Sequence, residues 1–110
     1  MESEIDLKVC FRFLSLNDEQ VEKLSLSFGV IELGKHFKTG KNVGIVVLRS
    51  DNIRKVSKFM DVHGIAPEDT DIFLSFTTFH SNRILDIPGY VADAAVELKS
   101  RLTLSYTIKR

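Results

Sequence analysis

The chain has no tryptophan, one cysteine, two prolines and no net charge among its 110 residues. A lone Cys10 cannot close an internal disulfide, which excludes a cross-linked secreted scaffold and fits a reducing compartment. Fifteen Lys and Arg balance fifteen Asp and Glu, so the basic excess of a nucleic-acid binder is missing. The longest apolar run, Gly44 to Leu48, falls far short of the roughly 20 residues that span a bilayer. The opening Met-Glu-Ser-Glu-Ile-Asp is acidic where a secretory signal is basic and then apolar. No repeat, linker or low-complexity segment interrupts the chain. What is present is an ordinary globular balance, 44% hydrophobic and 27% charged, enough for a domain that buries about two-thirds of its unfolded surface. The expectation is a single cytoplasmic domain over residues 1–110, with no membrane association and no nucleic acid.

Residues 5–13 alternate: Ile5, Leu7, Val9, Phe11 and Phe13 on one side, Asp6, Lys8, Cys10 and Arg12 on the other. Period two with aromatic and branched residues predicts a strand with one buried face. Asn17 and Gln20 have the spacing of a capping box for a helix over about Asp18 to Leu26, with Leu16 and Val21 as a hydrophobic staple. Phe28 to Ile31 reads as a second strand, Gly34 to Asn42 as a polar loop, and Val43 to Arg49 as a third strand. Ser50 or Asp51 opens a second helix bearing Ile53, Val56, Phe59 (or Met60) and His63, and Gly64 stops it. Pro67-Glu68-Asp69 has turn chemistry. Asp71 to Phe79 is a strand apolar on both faces, as in a sheet interior, and Ser81-Asn82 marks a turn. Pro88 suits a first helical position, before an apolar stripe of Val91, Ala94, Ala95, Leu98 and Leu102. Leu104 to Ile108 alternate as a last strand. The predicted fold is α+β: a ferredoxin-like βαββαβ core plus a C-terminal αβ unit, its sheet antiparallel or mixed, with helices on one face.

The chemistry-bearing residues do not assemble into a catalytic motif. Gly34 to Lys41 imitates a phosphate-binding loop, but five residues separate the glycines where four are needed, and Asn42 stands where Ser or Thr binds magnesium. A strand follows it rather than a helix, so the segment reads as a solvated hairpin loop. His36, His63 and His80 lie on three different elements without ligand spacing, so no metal or cofactor is expected. His63, just before Gly64, is explained by the negative end of the helix dipole. An enzyme using Cys10 or a histidine needs a tertiary contact that the sequence does not display. The third strand carries no aromatic on which a base could stack.

Charge is distributed in blocks. Residues 1–34 carry seven acids against three bases, and 35–58 seven bases against Asp51. Residues 61–97 carry seven acids against Arg83, and 98–110 four bases. Such blocks are often plain solvated faces. Read functionally, they describe a bipolar surface whose acidic part, Asp61, Glu68, Asp69 and Asp71 around the 64–71 turn, meets a cationic partner. The basic 35–58 block is the alternative face.

Four segments resemble a bacterial family of small α+β domains found among cytosolic immunity proteins of polymorphic toxin and contact-dependent growth-inhibition systems. They are residues 9–24 (Val-Cys-Phe-Arg-Phe-Leu-Ser-Leu-Asn-Asp-Glu-Gln-Val-Glu-Lys-Leu), Phe28-Gly29-Val30 leading to His36 and Gly40-Lys41, Asp71 to Phe76, and Leu98 to Ile108. The resemblance implies an immunity protein that binds one cognate toxin domain, such as a nuclease, and occludes its active site. It transfers no active-site residue. A homodimer is compatible with it. Two other readings stand beside it: a small-ligand regulatory domain, and a small enzyme using Cys10 or a histidine.

Overall fold

The computed structural model describes residues 5–78 and 86–108. They form β1 (Ile5–Leu16), α1 (Asp18–Phe28), β2 (Glu32–Lys35), β3 (Asn42–Val47), α2 (Ile53–His63), a 3-10 turn (Pro67–Asp69), β4 (Thr70–Thr78), α3 (Gly89–Leu98) and β5 (Arg101–Ile108). The fold is α+β, with one five-stranded mixed sheet in the order β2-β3-β1-β4-β5. β1 runs antiparallel to β3 and β4, β2 antiparallel to β3, and β5 parallel to β4.

The alternation of β1 decides where the core lies. Val9, Phe11 and Phe13 share a face with Leu74, Ile72 and Val46 through the register pairs Val9↔Leu74, Phe11↔Ile72 and Phe11↔Val46. Leu24 of α1, Val56, Phe59 and Met60 of α2, and Val91, Ala94 and Leu98 of α3 close over that face in one buried cluster. Phe11, Phe13 and Phe59 meet edge to face, with centroids 5.0 and 5.4 Å apart, geometry that adds about 0.5–1.5 kcal/mol per pair beyond burial. Gly44 lets α1 approach the sheet: a Cβ there would lie 2.5 Å from Leu24 Cδ2 and 2.9 Å from Leu16 Cδ1.

The helix ends follow local chemistry. Asn17 and Gln20 form a reciprocal capping box, with N–O distances of 2.7 and 2.9 Å. Gly64, at φ 62°, ends α2 as expected. Among the boundaries that differ from the sequence reading, four lie at helix ends. Phe28 completes α1 instead of starting a strand, because its ring packs 6.1 Å from Phe59 and Gly29 turns at φ 74°; β2 therefore begins at Glu32. Asn52, not Ser50 or Asp51, precedes α2, and its side chain bridges Arg49 N (2.8 Å) and the Val47 carbonyl (2.8 Å) rather than capping. Pro88 is the residue before α3 rather than its first. Lys99, in the left-handed region at φ 54°, ends α3, so Leu102 belongs to β5 and not to a helical stripe. Phe79, His80 and the Ser81-Asn82 turn lie outside the described residues.

Candidate partner-binding end of the sheet

The C-terminal end of β1 and the N-terminal ends of β3, β4 and β5 meet at one edge of the molecule, through Leu16↔Asn42, Phe13↔Thr70 and Asp71↔Arg101. Two connections project there: the 3-10 turn before β4 and the hairpin between β2 and β3. The turn starts where Gly64 releases the chain from α2 and Pro67 fixes φ. Asp69 N donates to the Ala66 carbonyl at 3.0 Å. Thr70 Oγ1 donates to the Pro67 carbonyl (2.7 Å) and shares a 2.6 Å hydrogen bond with Ser100 Oγ. Thr70 and Ser100 are both buried, so the turn rests on a satisfied polar pair inside the protein. Its side chains Glu68 and Asp69 are exposed.

The hairpin is equally well held. His36 N donates to Lys41 O and Gly40 N to His36 O, each at 2.8 Å, and Gly40 supplies the positive φ of 71°. His36 Nδ1 accepts from Lys38 N at 3.2 Å, a loop-building role rather than a ligating one. Asn42 ties the hairpin to α1 by donating to Asp18 Oδ1 at 3.0 Å. At the tip Phe37 is 88% exposed, stacked on His36 with Lys38 over its ring. A cleft of about 220 Å³ separates hairpin from turn and is lined by His36, Lys41, Glu68, Asp69 and Arg101 among others. The acidic and basic blocks of the sequence thus share this end of the sheet.

The four expected partner-binding acids have three different environments. Glu68 and Asp69 stand on the turn. Asp61 is exposed on the last turn of α2, beside a separate cleft with Glu97 and Lys99. Asp71 is turned onto the face of the sheet opposite α1, α2 and α3, helix-free among the described residues, and is 1% exposed. It accepts from Arg12 Nε at 2.7 Å, from Arg12 Nη2, and from Thr103 Oγ1 at 2.7 Å. Arg12 in turn lies 4.2 Å above the Phe73 ring. Buried and held by these three hydrogen bonds, Asp71 braces the sheet beneath the turn.

Cys10 shares that helix-free face, half-buried. Burial, and then the nearby Glu32, push its thiol pKa up, while Lys8 and Arg12 oppose them; this is the reverse of an activated thiolate. Among the described residues no group of three or more His, Cys, Asp or Glu could hold a metal ion, and no helix is long and apolar enough to cross a membrane. A second concavity, about 560 Å³, lies between the end of α1 and the start of α2, lined by Phe28, Val30, Val46, Val47, Arg49, Asp51, Asn52 and Lys55. Sequence reasoning missed two residues at the loop end. A polar loop over Gly34 to Asn42 hides Phe37, although an aromatic among lysines is the signal for it, and a last strand read from Leu104 leaves out Arg101, which β5 carries. Neither a protein-family model, a curated protein nor a solved structure matches the chain.

Proposed function

We propose that the chain is a protein-recognition domain of the immunity type, which binds a toxin domain with the loop end of its sheet and occludes the toxin's active site. The observation that carries this reading is a pinned acidic turn, Glu68-Asp69, set across a cleft from a hairpin whose tip carries the 88% exposed Phe37. Interfaces draw most of their energy from a few aromatic and charged anchors, and a surface ordered beforehand loses less entropy on binding. Carboxylates on such a turn suit a cationic, phosphate-binding cleft of the kind a nuclease has, and phosphate mimicry is how they would block it. An immunity protein of this kind acts in the bacterial cytoplasm, which suits the lone half-buried thiol. The first six elements support a ferredoxin-like core: strands β1 to β4 run antiparallel in the order β2-β3-β1-β4, and the α3-β5 unit extends that sheet by a parallel strand.

The test is co-expression with the product of the adjacent gene, which this reading expects to be a toxin, followed by titration of the purified pair. Protection of growth and a soluble complex are expected, both lost when Glu68 and Asp69 are changed to Lys and weakened by Phe37→Ala. An unprotected host, or a complex indifferent to these changes, would rule the reading out. The concavity between α1 and α2, lined by Phe28, Val30, Val46 and Val47 together with Arg49, Asp51, Asn52 and Lys55, favours a second reading as a small-ligand regulatory domain; ligand-dependent thermal shifts abolished by a substitution at the exposed Val47, Val47→Trp, would identify it.

A further inference from the structure

The two outer strands of the sheet are built differently. β2 has four residues, all exposed, with Glu32 and Lys35 at its ends. Shortness and charge are the usual protection of a sheet edge against pairing with another chain. β5 has eight residues in unbroken register with β4, and from Leu102 to Ile108 it carries no charge and no proline. Leu102 and Leu104, on the helix-bearing side, are 47% and 63% exposed. α3 does not cover them. Its Val91, Ala94 and Leu98 enter the core, Glu97 lines a cleft with α2, and Tyr90 donates to the Leu48 carbonyl. Helical spacing then turns Ala92 and Val96 to the β5 side, where both are exposed, Val96 at 79%. Among the described residues, no strand pairs with the outer side of β5.

We infer that β5 is an interface between two copies of this chain, pairing antiparallel with its own counterpart so that the two sheets become continuous. The strand supplies its own complement. A two-fold axis at Leu104 sets Leu104 against Leu104, Leu102 against Tyr106, Thr103 against Ser105, and Arg101 against Thr107. Apolar side chains meet on the helix side, hydroxyls on the other, and no like charges face each other across the pair. Val96 of each copy extends the apolar strip beside this seam. The inference does not rest on the toxin reading: Glu68, Asp69 and the β2–β3 hairpin lie outside the paired strands, and of the cleft residues Arg101 alone belongs to the seam.

Sedimentation velocity of the full chain between about 1 and 200 μM is the first measurement. A reversible species of twice the 12.5 kDa chain mass is expected. Leu104→Lys places two like charges against each other at the axis, so it should raise the dimer dissociation constant by at least about tenfold, about 1.4 kcal/mol, while the circular dichroism spectrum stays unchanged. Should that variant misfold, a second one decides: Leu104→Cys in a Cys10→Ser background should oxidise to an intermolecular disulfide, and Leu33→Cys on β2 in the same background should not. A chain monomeric over the whole range, a dimer unaffected by Leu104→Lys, or equal cross-linking from β2 would each overturn the inference, as would a monomer that instead takes up a foreign strand-forming peptide on β5.

Discussion

Truncating Asp71 to Ala should destabilise the domain by about 3 kcal/mol, far more than its place in an acidic, turn-rich stretch implies. The carboxylate is 1% exposed and accepts three hydrogen bonds, two from Arg12 and one from Thr103. Breaking a buried ion pair by removing one partner costs about 3–5 kcal/mol, mainly because the other charge is left uncompensated. Here the side left behind matters. Arg12 retains 26% side-chain exposure and can turn towards water, which places Asp71→Ala at the lower end. Arg12→Leu is the worse lesion, about 4–5 kcal/mol, because it strands the carboxylate with Thr103 as its one remaining partner. Combining Arg12→Leu with Asp71→Ala removes both charges and should cost less than Arg12→Leu alone. Urea unfolding followed by circular dichroism measures all four proteins, provided the m-values agree. At about 4 °C per kcal/mol, Asp71→Ala should also lower Tm by about 12 °C. A loss below about 1 kcal/mol for Asp71→Ala, or a double variant as unstable as the sum of the singles, would refute the reasoning.

Gly44→Ala should cost about 1–3 kcal/mol through overpacking, since its new Cβ would press on the buried Leu24 and Leu16; a neutral or stabilising outcome in urea unfolding would mean α1 shifts freely on the sheet. The Cys10 thiol should titrate above its ordinary value of 9.0 because burial disfavours the thiolate. Its alkylation at pH 8 should therefore be slower than that of an unfolded peptide, and rapid reaction at pH 6 would contradict this. Because the folded pKa lies above the unfolded one, the thiol's contribution to stability is complete below the unfolded pKa and is lost as pH rises through the folded one.

How much of this was readable in the residues depended on range. The capping box of Asn17 and Gln20, the stop at Gly64 and the alternation of β1 are set within a few positions, and they stand where the sequence puts them. Phe28 to Ile31 looked like a strand because its residues are apolar, yet Phe28 belongs to the helix through a contact with Phe59 that no local pattern encodes, and Val30 is 97% exposed. At the candidate site, Pro67-Glu68-Asp69 announced an exposed turn. Asp71, two residues on, looked equally available. Its burial comes from the pairing of β1 with β4, which sets it opposite Arg12, 59 residues away. Leu102 continued a helical stripe on paper until Lys99 reversed the backbone. The pinning of Thr70 by Ser100 spans 30 residues and has no sequence signature.

The most direct test of the partner recognition proposed for the loop end is calorimetric titration of the adjacent gene's product, which the proposal expects to be a toxin, with the native chain and with Glu68→Lys/Asp69→Lys, at about 0.05 and 0.3 M salt. Both substitutions lie on exposed turn positions, so folding stability should move by no more than about 0.5 kcal/mol each. Binding should weaken by at least about 2 kcal/mol, with a native affinity that falls as salt screens the acidic turn and a variant affinity that does not. Equal affinity for the two proteins at both salt concentrations would contradict the account and leave the basic hairpin and the 35–58 block as the surface to explain.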